Sequence, residues 1–276
     1  MKAIYDQKVV EARTGEHSEG MDLMGSLVRS TMTDQSNKVN DSRGSAEKGQ
    51  VGQFTLSQND ILGNAFVLII AGHETTANSV HFALMMLAMT PGSQLRLQKE
   101  VVAIFGETPA EDWDYDSSIN KCLGGMVGAV LNEELRLMPP VISIPKSVRK
   151  DLDQTIVLNG KKHVLPKGSF INLNAVGVHR NPRYWPSRGV SKISGRPNDL
   201  DDFVPERWLV KEDTRNSIDT PDLSDSGEED FGGFTGQSSA AELFRPIRGS
   251  FIPFSDGPRS CLGRRLAQVE VVAVLA

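Results

Sequence analysis

Apolar residues recur from Ile61 to Met89 with few polar interruptions, and this run dominates the hydropathy pattern of the chain. Ser57 stands where a helix N-cap belongs, with Asp60 three residues on as its capping-box partner, so a helix is expected to begin just after Phe54-Thr55-Leu56-Ser57. Some 30 residues of helix would span roughly 45 Å, and a helix so long and so apolar crosses the middle of a domain. Pro91-Gly92 is expected to end it. Two short helical pieces precede it, around Met21–Ser30. Between them and the long helix, Gln35–Gln53 is rich in Ser, Asn, Gly, Lys and Asp and reads as a mobile loop. Beyond it, Gln94–Phe105 reads as a shorter amphipathic helix and Asp112–Ser118 as a polar connection. Ile119–Met138 reads as one further helix, stopped by Pro139-Pro140.

The pattern then changes. Thr155–Leu158 and Lys162–Leu165 flank Asn159-Gly160, the strongest short hairpin signal, and Ser169–Val176 reads as another strand. Residues 186–202 are irregular. Residues 211–242 are polar, acidic and Gly/Ser-rich, and are expected to form a disordered insertion. The expected class is mainly α with a small β-sheet. Residues 1–53 would hold partial helices and the polar loop, and 54–276 a core that carries the insertion.

Charge changes this picture at one place. Residues 211–230 hold eight acids against two bases, a local net of −6 within a total of −5, so the remaining surface is close to neutral. That balance argues against nucleic-acid binding. Two cysteines, Cys122 and Cys261, cannot build a disulfide framework or a four-cysteine zinc site, and no histidine pair has metal-site spacing. The start of the chain lacks a signal peptide's apolar core, and the most apolar run, Ala65–Ala71, is far short of the ~20 residues a bilayer needs. No membrane anchor is expected within these residues.

The candidate chemistry lies near the C-terminus, at Phe254-Ser255-Asp256-Gly257-Pro258-Arg259-Ser260-Cys261-Leu262-Gly263. A Gly/Pro-punctuated loop there presents one cysteine just before a helical run. Aligned N–H groups at a helix start favour an anionic sulfur. Gly257 can take a backbone conformation closed to other residues, letting the chain turn under a flat ligand. Arg259 offers a guanidinium fork that suits a carboxylate. The bland alternative is a buried structural cysteine. The pattern Phe254-x-x-Gly257-x-Arg259-x-Cys261-x-Gly263 resembles, at every fixed position, the haem-binding loop of cytochromes P450. The resemblance implies Cys261 as axial ligand of the iron of haem b (iron protoporphyrin IX) and Arg259 as partner of a haem propionate.

Three further strings resemble the same family, in family order. Ala71-Gly72-His73-Glu74-Thr75-Thr76 lies inside the long helix, where glycine costs about 1 kcal/mol relative to alanine and threonine hydroxyls can bond back to carbonyls. It resembles the oxygen-binding groove, which implies Thr75 as the hydroxyl near dioxygen and Glu74 as the acid that supplies protons. A small-residue packing patch is the alternative. Glu133-Glu134-Leu135-Arg136 places Glu133 and Arg136 on one helix face, a common pattern of little specificity alone. Phe203-Val204-Pro205-Glu206-Arg207-Trp208 resembles the segment whose arginine joins that pair, which implies a buried triad of Glu133, Arg136 and Arg207. Lys146 falls where the family often places a base for a propionate, with a solvated lysine as the alternative. His179-Arg180-Asn181-Pro182, with Trp185, resembles a family segment assigned here to packing.

The resemblance implies the cytochrome P450 fold, C-terminal half only. It implies a haem-thiolate monooxygenase that inserts one oxygen atom of O2 into a small hydrophobic organic substrate. Electrons would come from NADPH–cytochrome P450 reductase or another donor that docks on the cysteine side near Arg264-Arg265. The full-length family member would sit on the cytosolic face of the endoplasmic reticulum membrane. Only 53 residues precede Phe54 and the chain stops inside the helix after Cys261, so a truncated chain with normally buried faces exposed is expected. The alternatives are a haem-binding but inactive remnant, an unfolded fragment, and an isomerase or dehydratase of P450 type that uses no dioxygen.

Overall fold

The computed structural model describes residues 1–14, 23–40, 56–209 and 243–276. The expected insertion at 211–242 and most of the expected loop at 35–53 lie outside the described residues. The described backbone divides into two compact units, Met1–Glu74 and Thr75–Ala276.

The first unit holds α1 (Lys2–Thr14), α2 (Leu23–Asn40), which packs on α1, and the first half of α3 (Gln58–Met89). Helix α2 therefore continues to Asn40, through residues that the polar composition assigns to a loop. Among the described residues of the first unit, Val28 of α2 and Ile61 and Ala65 of α3 are buried apolar residues. Helix α3 opens on the capping box that its sequence predicts. The Ser57 N–H and hydroxyl donate to Asp60 Oδ2 at 2.9 and 2.7 Å, and the Asp60 N–H donates back to Ser57 Oγ at 3.2 Å. The two hydrogen bonds from Ser57 hold the Asp60 pKa below the usual carboxylate value.

In the second unit, α3 continues unbroken to Met89. Pro91 does not merely end it: it is the first residue of α4 (Pro91–Phe105), a position where its missing N–H costs nothing. The single helix expected over 119–138 is two helices. Asp114 caps α5 (Tyr115–Gly124) by accepting from the Ser117 N–H at 2.9 Å, so the helix starts before Ile119. Gly125 then breaks the chain direction and α6 (Met126–Leu137) begins. Glu100 of α4 caps this new start by accepting from the Met126 N–H at 2.5 Å. Every residue of α6 except Asn132 is buried. It is the central element of the unit, packed by α4, α5 and α8 (Arg264–Leu275).

Among the described residues the β-structure is two separate two-stranded antiparallel sheets and one isolated antiparallel bridge, Leu209 to Leu243. Strand β2 (Gln154–Leu158) pairs with β3 (Lys161–Leu165) through the Asn159-Gly160 turn, where both residues have positive φ, 50° and 75°. Strand β1 (Ser143–Ser147), hidden from pattern reading by Pro145, pairs with β4 (Phe170–Asn174). The strand expected to reach Val176 stops at Asn174 because that side chain accepts from the Gly177 N–H at 2.8 Å and caps the short helix α7 (Ala175–His179). A second apolar cluster, Ala129, Trp185, Leu200, Trp208 and Leu243, closes the far side of α6.

Candidate functional site

The cysteine loop is built by backbone hydrogen bonds. The Cys261 N–H donates to the Phe254 carbonyl at 2.9 Å, closing the loop at its base. Ser255 and Gly257 take positive φ, 61° and 74°, so the chain reverses between them. Residues Gly257–Arg259 form one 3-10 turn, whose start is capped by Asp256 Oδ1 accepting from the Gly257 N–H at 2.7 Å. Phe254 turns inward, half-buried against the core, with the Arg264 guanidinium 5.4 Å from its ring centre. Cys261 is exposed as a free thiol. Leu262 beside it is 86% exposed. Gly263, two residues after the cysteine, is the N-cap position of α8 and supplies no side-chain cap.

This donor set fits a flat macrocycle with one axial ligand and acidic edges. One thiol is presented outward. Arg259 is exposed and makes no ion pair with a described residue. An added Cβ at Gly257 or Gly263 would meet nothing within 4 Å, so the chain leaves open space there. Lys146 lies half-buried on β1, opposite Ile171, and makes no ion pair among the described residues.

Glu133, Arg136 and Arg207 meet in a fully enclosed cluster. Arg136 donates to both oxygens of Glu133, from Nε and Nη2, each at 2.8 Å. Arg207 Nε donates to Glu133 Oε1 at 3.0 Å. The Val204 N–H and Trp208 Nε1 complete the set at 3.0 and 2.9 Å. The guanidiniums also donate to backbone carbonyls: Arg136 to Leu200 at 2.8 Å, to His179 at 3.2 Å and to Asp202 at 3.3 Å, Arg207 to Pro186 at 2.7 Å and to Asp199 at 3.0 Å. Burial alone would raise the Glu133 pKa, but the two guanidiniums and the Val204 N–H together hold it below the usual carboxylate value. Asp199, 3.3 Å from Arg207 Nη1, adds the second negative charge, so the cluster is neutral. Trp185 lies under Arg136, 5.5 Å from the guanidinium carbon. Asp199 and Trp208 escape sequence reading because one lies in the irregular 186–202 stretch and the other looks like an ordinary core aromatic.

Glu134 is the unexpected group. It is fully buried, and neither carboxyl oxygen has a partner with hydrogen-bond geometry. Burial pushes its pKa up to about 9, and the nearby Ser79 of α3 offsets this only in part. It is a neutral carboxylic acid at physiological pH. Glu74 and Thr75 are adjacent on α3, the first exposed and the second half-buried. The helix passes through Gly72–Thr75 as unbroken α-helix, and a Cβ on Gly72 would meet nothing within 4 Å.

The cytochrome P450 family model matches residues 7–276. The chain belongs to the cytochrome P450 family. It is 30% identical to a cytochrome P450 monooxygenase of Arthrobotrys oligospora over 275 residues, 98% of this chain and 41% of that protein. It is 27% identical to human cytochrome P450 3A5 over 220 residues, 80% of this chain and 33% of that protein. A crystal structure of a cytochrome P450 (CYP102L1) superposes with a TM-score of 0.56 at 22% identity, covering 90% of this chain and 47% of that one. The last likeness shows the fold: this P450 chain is mainly helical with small antiparallel sheets. It spans about 41% of the length of its A. oligospora relative. Cytochromes P450 are haem proteins, and the Cys261 loop is the part of this chain whose donors suit that group. Among the described residues no helix is long and apolar enough to cross a membrane.

Proposed function

We propose that this chain carries the haem-binding part of a monooxygenase that inserts one atom of O2 into a small hydrophobic organic substrate. One observation carries the reading: the exposed Cys261 thiol, closed into its loop by the Phe254 carbonyl and placed at the uncapped start of α8. Haem b bound there through a thiolate would supply the dioxygen-activating chemistry. The residues of the chain have the other tasks. Cys261 would hold the iron through its sulfur. Arg259 and Lys146 would hold the propionates. Phe254 and Gly257 shape the loop surface, and Gly263 lets α8 start close behind the sulfur. Glu74 and Thr75, neighbours on α3, are the carboxyl and the hydroxyl assigned to proton supply. The Glu133–Arg136–Arg207 cluster fixes the protein beneath the loop.

The names of the relatives, cytochrome P450 monooxygenases of several fungi, support the reaction class. Electrons come from NADPH–cytochrome P450 reductase or a comparable donor at the Arg264–Arg265 side, and the whole protein acts at the cytosolic face of the endoplasmic reticulum. The test supplies the haem-loaded protein with donor, 18O2 and a panel of small hydrophobic compounds. Products with a single 18O atom, formed only with reductant, are expected. Conversion that needs neither oxygen nor reductant would replace this reading with an isomerase or dehydratase. A haem-loaded protein that consumes no oxygen would be an inactive remnant.

A further inference from the structure

We infer that His179 is a positioning residue for the Cys261 loop, joining it to the buried charge cluster through the two sides of one residue. The link to the thiolate rests on the haem reading above; the anchoring of the loop does not.

His179 is the last residue of α7 and is fully buried. Its carbonyl accepts from Arg136 Nη1 at 3.2 Å, so its backbone belongs to the Glu133 cluster. Its side chain reaches the other way: Nε2 accepts from the Ile252 N–H at 2.8 Å. The ring tilts against Phe251, with centroids 5.2 Å apart. Ile252 is the entry to the cysteine loop. Its own carbonyl accepts from the Ser255 N–H at 3.1 Å, which sets the positive-φ turn. Two residues after Ile252, the Phe254 carbonyl holds the Cys261 N–H. The sequence of contacts is thus cluster, His179, Ile252, turn, Cys261.

The role needs an uncharged acceptor. A backbone N–H buried without a partner is costly, and a charged imidazole would turn a donor toward it. Since Nε2 accepts, the proton sits on Nδ1, an assignment made from the hydrogen bond. Nδ1 has no partner with hydrogen-bond geometry, though the Leu135 and Arg136 carbonyls face the ring. Burial first, and then the Arg136 and Arg180 charges, keep the ring neutral. Local sequence reading assigns this histidine to packing, because its acceptor role joins residues 73 positions apart.

Two variants separate an acceptor from a filler. Phe in place of His179 keeps a ring and loses the acceptor; Gln keeps a side-chain carbonyl and loses the ring. Hydrogen–deuterium exchange is measured over 252–261 in the haem-free chain, with α6 as internal reference. The ferrous–CO spectrum is recorded after haem loading. H179F is expected to speed exchange over 252–261 about tenfold relative to α6 and to lower the fraction of thiolate-type band. H179Q is expected to keep most of both. If Phe is tolerated as well as or better than Gln, in folding or in either readout, the inference is overturned. Equal damage in the two variants overturns it as well. A wild-type chain that shows no thiolate band would remove the haem reading, while the exchange order would still decide the role of His179.

Discussion

Glu133 takes five hydrogen bonds with no access to water, two from Arg136 and one each from Arg207, Val204 and Trp208. Removing one partner of such a set leaves a buried charge uncompensated, at a cost of about 3–5 kcal/mol. Arg207→Ala is expected to lose that much in urea denaturation and to retain haem poorly, whereas removing the exposed Arg149–Asp151 pair should change neither. Unaltered stability and haem loading in R207A would contradict the cluster's role. Glu134 makes an opposite, pH-dependent prediction. Its pKa in the folded chain, about 9, lies above the ordinary 4.5. Between those values the unfolded chain releases a proton that the folded chain keeps, so stability falls as pH rises through that window. Glu134→Gln removes this slope, and the variant should gain on the wild type by a few kcal/mol between about pH 5 and about pH 9. Parallel curves of stability against pH would refute the neutral buried acid. Spacing in the sequence places Glu133 and Arg136 on one face. It does not reveal that Glu133 is fully satisfied while Glu134 is buried alone, because the further partners of Glu133 lie 71 to 75 positions away.

Helix α6 depends on a close approach at its start. A Cβ on Gly128 would lie 2.0 Å from the Leu123 carbonyl oxygen, a backbone atom that cannot swing aside. Gly128→Ala is therefore expected to push α5 and α6 apart and to cost roughly 1–3 kcal/mol, the range for overpacking a tight core. Thermal unfolding measures it; a melting temperature equal to wild type would show that the junction yields freely. The same junction marks where pattern reading stops. Apolar periodicity runs on through Gly124-Gly125 as if one helix continued, since both helices bury their faces in the same core. The break is set by Glu100 reaching from α4 to cap Met126. Local signals fare better where the cause is local: the Ser57–Asp60 box and the Asn159-Gly160 turn are both legible because the residues that form them are neighbours. Strand β1 is hidden because Pro145 interrupts it and its partner β4 lies beyond the hairpin.

At the scale of the molecule, α3 has a wide apolar face open to solvent. Phe66, Val67, Ile69 and Ile70 are each more than half exposed in the first unit, as is Met89 in the second. Soluble monomers rarely leave such surface bare. The 276-residue chain alone is expected to self-associate, with a sedimentation coefficient that rises with concentration; a concentration-independent monomer would contradict this. The family is legible from four short strings because each combines glycine, charge and spacing that packing alone does not demand. The substrate is not legible, because pocket selectivity comes from surfaces assembled by distant segments.

The central claim is that Cys261 holds haem iron as a thiolate, and the ferrous–CO spectrum of the haem-loaded chain tests it most directly. The wild type is expected to give the red-shifted Soret band of thiolate ligation, and Cys261→Ser to lose it. Haem binding without that band, or the same band in the Cys261→Ser variant, would contradict the claim.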